Sequence, residues 1–199
     1  MGRKSLKEPR QKAIIKAFYK LAKKEGLENA SIAKTAELIN IPPSLIMHYF
    51  QNKEYLLYGL VEYILDKYLL IFDIKDKSSS TSLEQLIKVI ENLFSKKWNS
   101  LFDDSVSYSC YALTFRDKTI RARYKLLLNA LRSKLENLII QCQSEGTVNV
   151  ENPEAIADLI FVLVDGAYYY LSLTSDKKEY AVKLKRYKDQ AIQLLNIRD

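Results

Sequence analysis

Residues 40–57 read NIPPSLIMHYFQNKEYLL, with two consecutive prolines directly before a short apolar run that carries the only histidine of the chain, His48. Proline is tolerated in the first turn of a helix, where its missing N–H has no intrahelical partner to lose. Pro42 and Pro43 therefore predict a short helix that starts there and ends near Phe50. Upstream, Ser31 is placed to cap a helix over SIAKTAELI that ends near Ile39. Asn40 tolerates the left-handed turn conformation, and Ile41 can plug the gap between the two helices. Downstream, Asn52 caps a long helix whose Leu56, Leu57, Leu60, Val61, Ile64, Leu65 and Tyr68 form a stripe. A first helix is expected from about Pro9 to Glu25, with Ile14, Ala17, Phe18, Leu21 and Ala22 on one face and Gly26 ending it. The order is thus helix, helix, tight turn, short helix, rigid support.

Composition agrees with this reading. The 199 residues are 48 % hydrophobic, enough for a real core. Five glycines and four prolines leave little of the turn punctuation that several short strands need, so an all-α protein is expected. Cys110 and Cys142 stand apart from any CxxC or metal spacing, which predicts reduced thiols, no metal and a cytoplasmic protein. The opening residues lack the apolar core and cleavage site of a signal peptide. The greasiest stretch, IADLIFVLVDGAYYYLSL at 156–173, contains Asp158 and Asp165. It predicts a buried helix rather than a membrane span, hence no membrane partner. No phosphate-binding glycine loop, HExxH, GxSxG or cofactor fingerprint occurs, so neither an enzyme nor a cofactor is expected.

Charge is uneven. Residues 1–53 hold eleven Lys/Arg against four Asp/Glu and carry the whole net charge of +7, while the remainder balances at twenty of each. A basic front on a neutral body suggests that the front meets a polyanion through its phosphates.

From Ile14 to Leu57 the chain resembles the DNA-binding domain of the tetracycline-repressor (TetR) family of transcriptional regulators. The family pattern is a helix ending at Gly, a Ser/Thr-capped helix with an internal Ala, a short aromatic helix ending in Phe, and Ser/Asn-Lys-Glu-x-x-Leu. Gly26, Ser31, Ala36, Phe50, Asn52, Lys53, Glu54 and Leu57 meet it. Thr35 stands where Ile is usual and Asn40 where Gly is usual. Pro42, Pro43 and Ser44 replace the usual Ser-Lys-Gly, and Met47 replaces a phosphate-contacting Tyr. The resemblance implies a three-helix DNA-binding domain at residues 1–53, joined by a long helix to a helical effector-binding and dimerisation domain at 54–199. Ser31 and Ile32 would meet a phosphate at the start of their helix. His48 and Tyr49 would contact phosphate or bases, Lys53 would clamp backbone, and Arg3, Lys4, Lys7 and Arg10 would follow the neighbouring groove. Pro42, Pro43 and Leu45 would offer apolar surface to thymine methyl groups, which predicts an A·T-rich operator, and Ser44 and Met47 belong to the same DNA-facing set.

The remainder reads as a second helical domain. Ser82 with Gln85 suggests a capping box for LEQLIKVIENLFSKKW, and Asp103 opens SVSYSCYALTF. Between Thr119 and Cys142 apolar residues recur at 120, 124, 127, 131, 135, 138 and 142. Asn152-Pro153 starts a helix that is apolar on two sides, which implies a partner surface. A last helix is expected over 176–197. TetR-like proteins dimerise through their two final long helices. The resemblance therefore implies an interface drawn from Phe161, Gly166, Ala167, Tyr170, Tyr180, Leu184, Tyr187, Ala191 and Leu194, and a homodimer on an inverted-repeat, double-stranded operator. It also implies an unknown small-molecule effector, for which Phe94, Trp98, Tyr108, Tyr111, Phe115, Asp165 and Tyr169 are candidate lining residues. The other readings are a helical nucleic-acid-binding protein without sequence preference, and a helical-bundle enzyme, for which clustered ionisable groups are missing.

Overall fold

A computed structural model of the chain describes residues 4–73, 80–95 and 103–198, with side chains from Lys7 onward. Within these residues every named element is helical, and the one β-bridge is the isolated pair Val148 and Ile197. Two compact units are present, Met1–Lys67 with Phe102–Tyr124, and Tyr68–Leu101 with Lys125–Asp199.

The first unit is built on α1 (Lys4–Glu25), α2 (Ile32–Leu38), α3 (Pro43–Phe50) and α4 (Lys53–Tyr68). Helix α1 begins ahead of the expected Pro9, which lies inside it. A proline removes one N–H and crowds the carbonyl four residues back. Both effects are tolerable here because residues 7–10 are exposed and water can take over. Gly26 ends the helix at φ +86°. Ile14, Phe18, Ile46, Leu56, Leu60 and Ile64 are fully buried and form the core of the head. Gly59 lets α4 come close, since a Cβ there would lie 3.0 Å from Ile15 Cδ1 and 3.1 Å from Phe50 Cε1. Asn52 Oδ1 accepts from the Tyr55 N–H at 3.0 Å, as expected of a cap. Helix α6 (Asp104–Ala112) starts at Asp103, whose carboxylate accepts from the Val106 N–H. The Asp103 N–H donates to the Tyr19 hydroxyl at 3.0 Å and so ties α6 to α1.

The second unit holds α5 (Ser82–Leu93), most of α7 (Lys118–Ser144), α8 (Pro153–Leu171) and α9 (Lys177–Gln193). The capping box of α5 is Thr81 with Glu84, not Ser82 with Gln85. Both pairs have the right spacing, but the Ser82 side chain turns inward and donates to Glu145 Oε1 at 2.5 Å, which leaves the capping place to Thr81. In α7 the buried line runs through Leu131, Leu135, Ile139 and Cys142, so Ile139 takes the place expected for Leu138. A straight helix repeats every 3.6 residues, and the strict 3.5-residue pattern drifts off the buried face. Asn152 and Pro153 open α8 as predicted, with Asn152 Oδ1 accepting from the Ala155 N–H. The Tyr168 hydroxyl donates to the Leu93 carbonyl at 2.8 Å and fastens α8 to the end of α5. Nearly all of α4 groups with α1 to α3, as do residues 103–124.

Candidate nucleic-acid interface

The α2–α3 pair is set by local chemistry. Ser31 caps α2, its hydroxyl accepting from the Lys34 N–H at 3.2 Å. Thr35 is fully buried, and its hydroxyl donates to the Ser31 carbonyl at 2.7 Å, which explains how a polar residue sits where an aliphatic one is usual. After α2 the chain turns at Asn40, φ 52°. The Asn40 N–H donates to the Glu37 carbonyl at 3.1 Å and the Ile41 N–H to the Ala36 carbonyl at 3.0 Å, a Schellman pair closed by asparagine in place of glycine. Pro42 follows as the N-cap of α3 at φ −64°, the value its ring enforces.

Helix α3 is anchored on one side and open on the other. Ile46 is fully buried and Phe50 nearly so. Pro42, Pro43, Ser44 and His48 are exposed, Met47 is 51 % exposed, and Leu45 and Tyr49 are half-buried. The His48 and Tyr49 rings meet edge to face at 5.3 Å. Lys53 Nζ donates to the Glu28 carbonyl at 3.4 Å, so this cation rests against the end of the α1–α2 connection. Lys7 and Arg10 are exposed on α1. Arg3 and Trp98 lie outside the described residues, as does the side chain of Lys4. Ser31 and Ile32 are half-buried at the start of α2.

The expected ligand-lining residues are drawn from both units. Phe94 is in the core of the second unit, whereas Tyr108, Tyr111 and Phe115 belong to the first unit and are exposed, Phe115 at 70 %. Tyr111 instead stacks edge-on between Phe115 and Tyr124 at 5.8 and 5.7 Å. Asp165 and Tyr169 lie on the outer side of α8. The protein around Asp165 pushes its carboxyl up, with Arg132 pulling it down and Asp158 raising it, but the side chain is 61 % exposed and solvent screens the effect. A cleft of about 590 Å³ opens elsewhere in the second unit. It lies between Asn129, Arg132, Ser133 and Glu136 of α7 and Asn152, Glu154 and Asp158 at the start of α8. Arg132 pairs with Asp158 at 2.8 Å on its rim. The signal for this cleft was the polar i, i+3, i+4, i+7 stripe on α7. Burial pushes the Cys110 thiol up to about 12, which makes it inert at neutral pH.

The interface residues divide as well. Phe161, Ala167, Leu184 and Ala191 are buried within their own protomer. Gly166 and Tyr170 are exposed, and Tyr180, Tyr187 and Leu194 are half-buried. The open apolar strip of α8 is Leu159, Val162, Gly166 and Tyr169, continued by Leu173 just past its end, at alternating threes and fours, with Val182 exposed on α9. Space around Gly166 is clear, since a Cβ there would meet nothing within 4 Å. Among the described residues no helix is long and apolar enough to cross a membrane, and no three His, Cys, Asp or Glu residues are grouped so as to hold a metal ion.

A three-helix head with a projecting short helix, followed in sequence by a larger helical unit, defines a helix-turn-helix transcriptional regulator. A family model for the tetracyclin repressor-like C-terminal domain matches residues 81–197, more than half of the chain. The chain belongs to the TetR family of transcriptional regulators. Its fold is similar to that of a TetR transcription regulator from Haloarcula marismortui ATCC 43049, with a TM-score of 0.81 at 15 % identity over 96 % of this chain and 100 % of that one. It is also similar to a transcriptional regulator from Saccharomonospora viridis in complex with choline, with a TM-score of 0.74 at 16 % identity over 96 % and 100 % of the two chains. A transcriptional regulator from Pseudomonas aeruginosa PAO1 gives 0.73 at 18 % identity over 95 % and 91 %. No curated protein matches the chain by sequence.

Proposed function

We propose that the chain is a ligand-responsive repressor, a DNA-binding protein rather than an enzyme, that acts in the cytoplasm as a homodimer on an inverted-repeat operator. The observation that carries this reading is the division of α3, in which Ile46 and Phe50 are held in the core while Pro43, Ser44, Met47 and His48 project. A helix so held can enter the major groove, where side chains read base edges, while Lys53, Lys7 and Arg10 meet phosphates. Pro42 and Pro43 supply the entry angle and an apolar surface suited to thymine methyl groups. Two heads need a two-fold. The outer strip of α8, with Val182 of α9, supports pairing of two copies through these helices. Gly166, Tyr170, Tyr180, Tyr187 and Leu194 keep their place at such an interface. Ligand response rests on the family and on the choline complex of the Saccharomonospora viridis relative.

The reading is tested by band shift with genomic fragments flanking the chain's own gene at moderate salt. One fragment should shift and should be competed by itself but not by unrelated duplex. Equal retardation of all fragments would instead support a nucleic-acid-binding protein without sequence preference. On the shifted fragment, Tyr49→Ala is expected to weaken specific binding by about 1–3 kcal/mol. Lys53→Ala should reduce the slope of log affinity against log salt by about 1 and leave sequence preference intact. Titrations at several salt concentrations separate the two effects. A uniform loss on all sequences with Tyr49→Ala would remove that residue from the reading surface.

A further inference from the structure

We propose that two copies of the chain pair crosswise, α8 of each against α9 of the other, because the outer faces of these helices carry opposite charge; this deepens the homodimer reading above and rests on it. Helix α8 contains Glu154, Asp158 and Asp165 and no Lys or Arg, a net −3. Helix α9 contains six Lys/Arg against Glu179 and Asp189, a net +4. The acids border the open strip. Asp158 and Asp165 are 59 % and 61 % exposed, and each directly precedes a strip member, Leu159 and Gly166. Arg132 of α7 lies against both, at 2.8 and 3.8 Å, and offsets one of the three charges. On α9, Lys183 and Lys185 are held by Glu179 and Asp189 at 2.7 and 2.6 Å, which leaves the surplus to the other four bases. Two of those, Lys178 and Arg186, are exposed one turn to either side of Val182, and among the described residues neither has an acidic partner.

The two helices lie side by side within one protomer, where Lys183 Nζ donates to the Tyr170 hydroxyl at 2.7 Å. Two such two-helix faces can close about a two-fold in two ways. An axis running along the helices sets each α8 on the other copy's α9, so that −3 faces +4 twice. An axis running across them sets α8 on α8 and α9 on α9, and like charge then faces like charge in both halves. Apolar burial is non-directional and does not choose between these arrangements. Charge does, because unlike charges across an interface fix its geometry and like charges exclude the alternative. The same rule favours a second copy of this chain over a foreign helical face, which would have to present the acidic and the basic helix in the same places.

The experiment measures self-association of the full chain by sedimentation in sodium chloride from about 0.05 to 0.5 M, over which the reach of a surface charge shrinks about threefold. Crosswise pairing predicts that the wild-type dimer loosens as salt rises. Two variants reverse one face each: Glu154→Lys with Asp165→Lys, which leaves Asp158 to hold Arg132, and Lys178→Glu with Lys185→Glu and Arg186→Glu. At low salt each should weaken self-association on the order of 10- to 100-fold, with folding checked by circular dichroism melts. Mixed in equal amounts they should recover a dimer, because the two reversed faces are again unlike and the two unaltered faces still match. Pairing of like helices predicts the opposite signs, a wild-type dimer that tightens with salt and variants that pair more tightly. Either of those results overturns the proposal, as does a mixture that stays monomeric. Variants that pair as wild type does but bind DNA more weakly would give the α9 bases a polyanion as partner and overturn it as well. Should a variant fail to fold, the salt dependence of the wild type decides. A wild-type chain that is monomeric at micromolar concentration in every salt would instead remove the homodimer reading itself.

Discussion

Ile46→Ala is expected to cost the head about 2–5 kcal/mol, the range for truncating a fully buried aliphatic side chain whose cavity cannot close. The site cannot close readily because its neighbours are fixed by separate devices. Phe50 lies against the backbone of Gly59, Thr35 is held by its bond to the Ser31 carbonyl, and Pro42 sets the entry of α3. Ile46 also carries more than stability, since with Phe50 it is the only buried side chain of α3. Its loss should release the reading helix, so operator affinity should fall along with the melting temperature. Circular dichroism melts and band shifts on the same preparation check this. A variant that melts with wild type and binds normally would show that α3 is held by other contacts.

The second large effect is expected at the outer strip of α8. Val162 and Tyr169 are 54 % and 67 % exposed, so Val162→Asp with Tyr169→Asp leaves the protomer's own core untouched. Across a two-fold axis the same residues meet their copies or near neighbours, and four carboxylates would have to be buried together. The double variant should sediment as a monomer at micromolar concentration with unchanged helix content. Its affinity for the operator should fall by about 10²–10⁴-fold, because each head then binds without the effective concentration supplied by the other. A dimer that persists in the double variant would place the partner surface elsewhere.

Much of the head was legible in the sequence because its elements announce themselves locally. Ser31, Asn40, Pro42, Pro43 and Asn52 each act within a few residues of their own position, and each does in the structure what its chemistry predicts. The apolar periodicity of α1 and α4 likewise selects the buried faces directly. Readings failed where the outcome depends on distant neighbours. Thr81 and Ser82 are equally good caps on paper, and only Glu145, far along the chain, decides between them. Phe161 and Ala167 look like interface residues on a helix that is apolar on two sides, and which side turns inward is decided by packing within the unit. The candidate lining residues are chosen for aromaticity, which does not reveal that Tyr108, Tyr111 and Phe115 group with the head.

The most direct measurement is a hydroxyl-radical footprint on the fragment upstream of the chain's own gene. Two-headed binding predicts two protected patches on one face of the duplex, related by a two-fold and centred about 10 base pairs apart or somewhat more. Protection confined to a single patch, or smeared evenly over unrelated sequence, would contradict it.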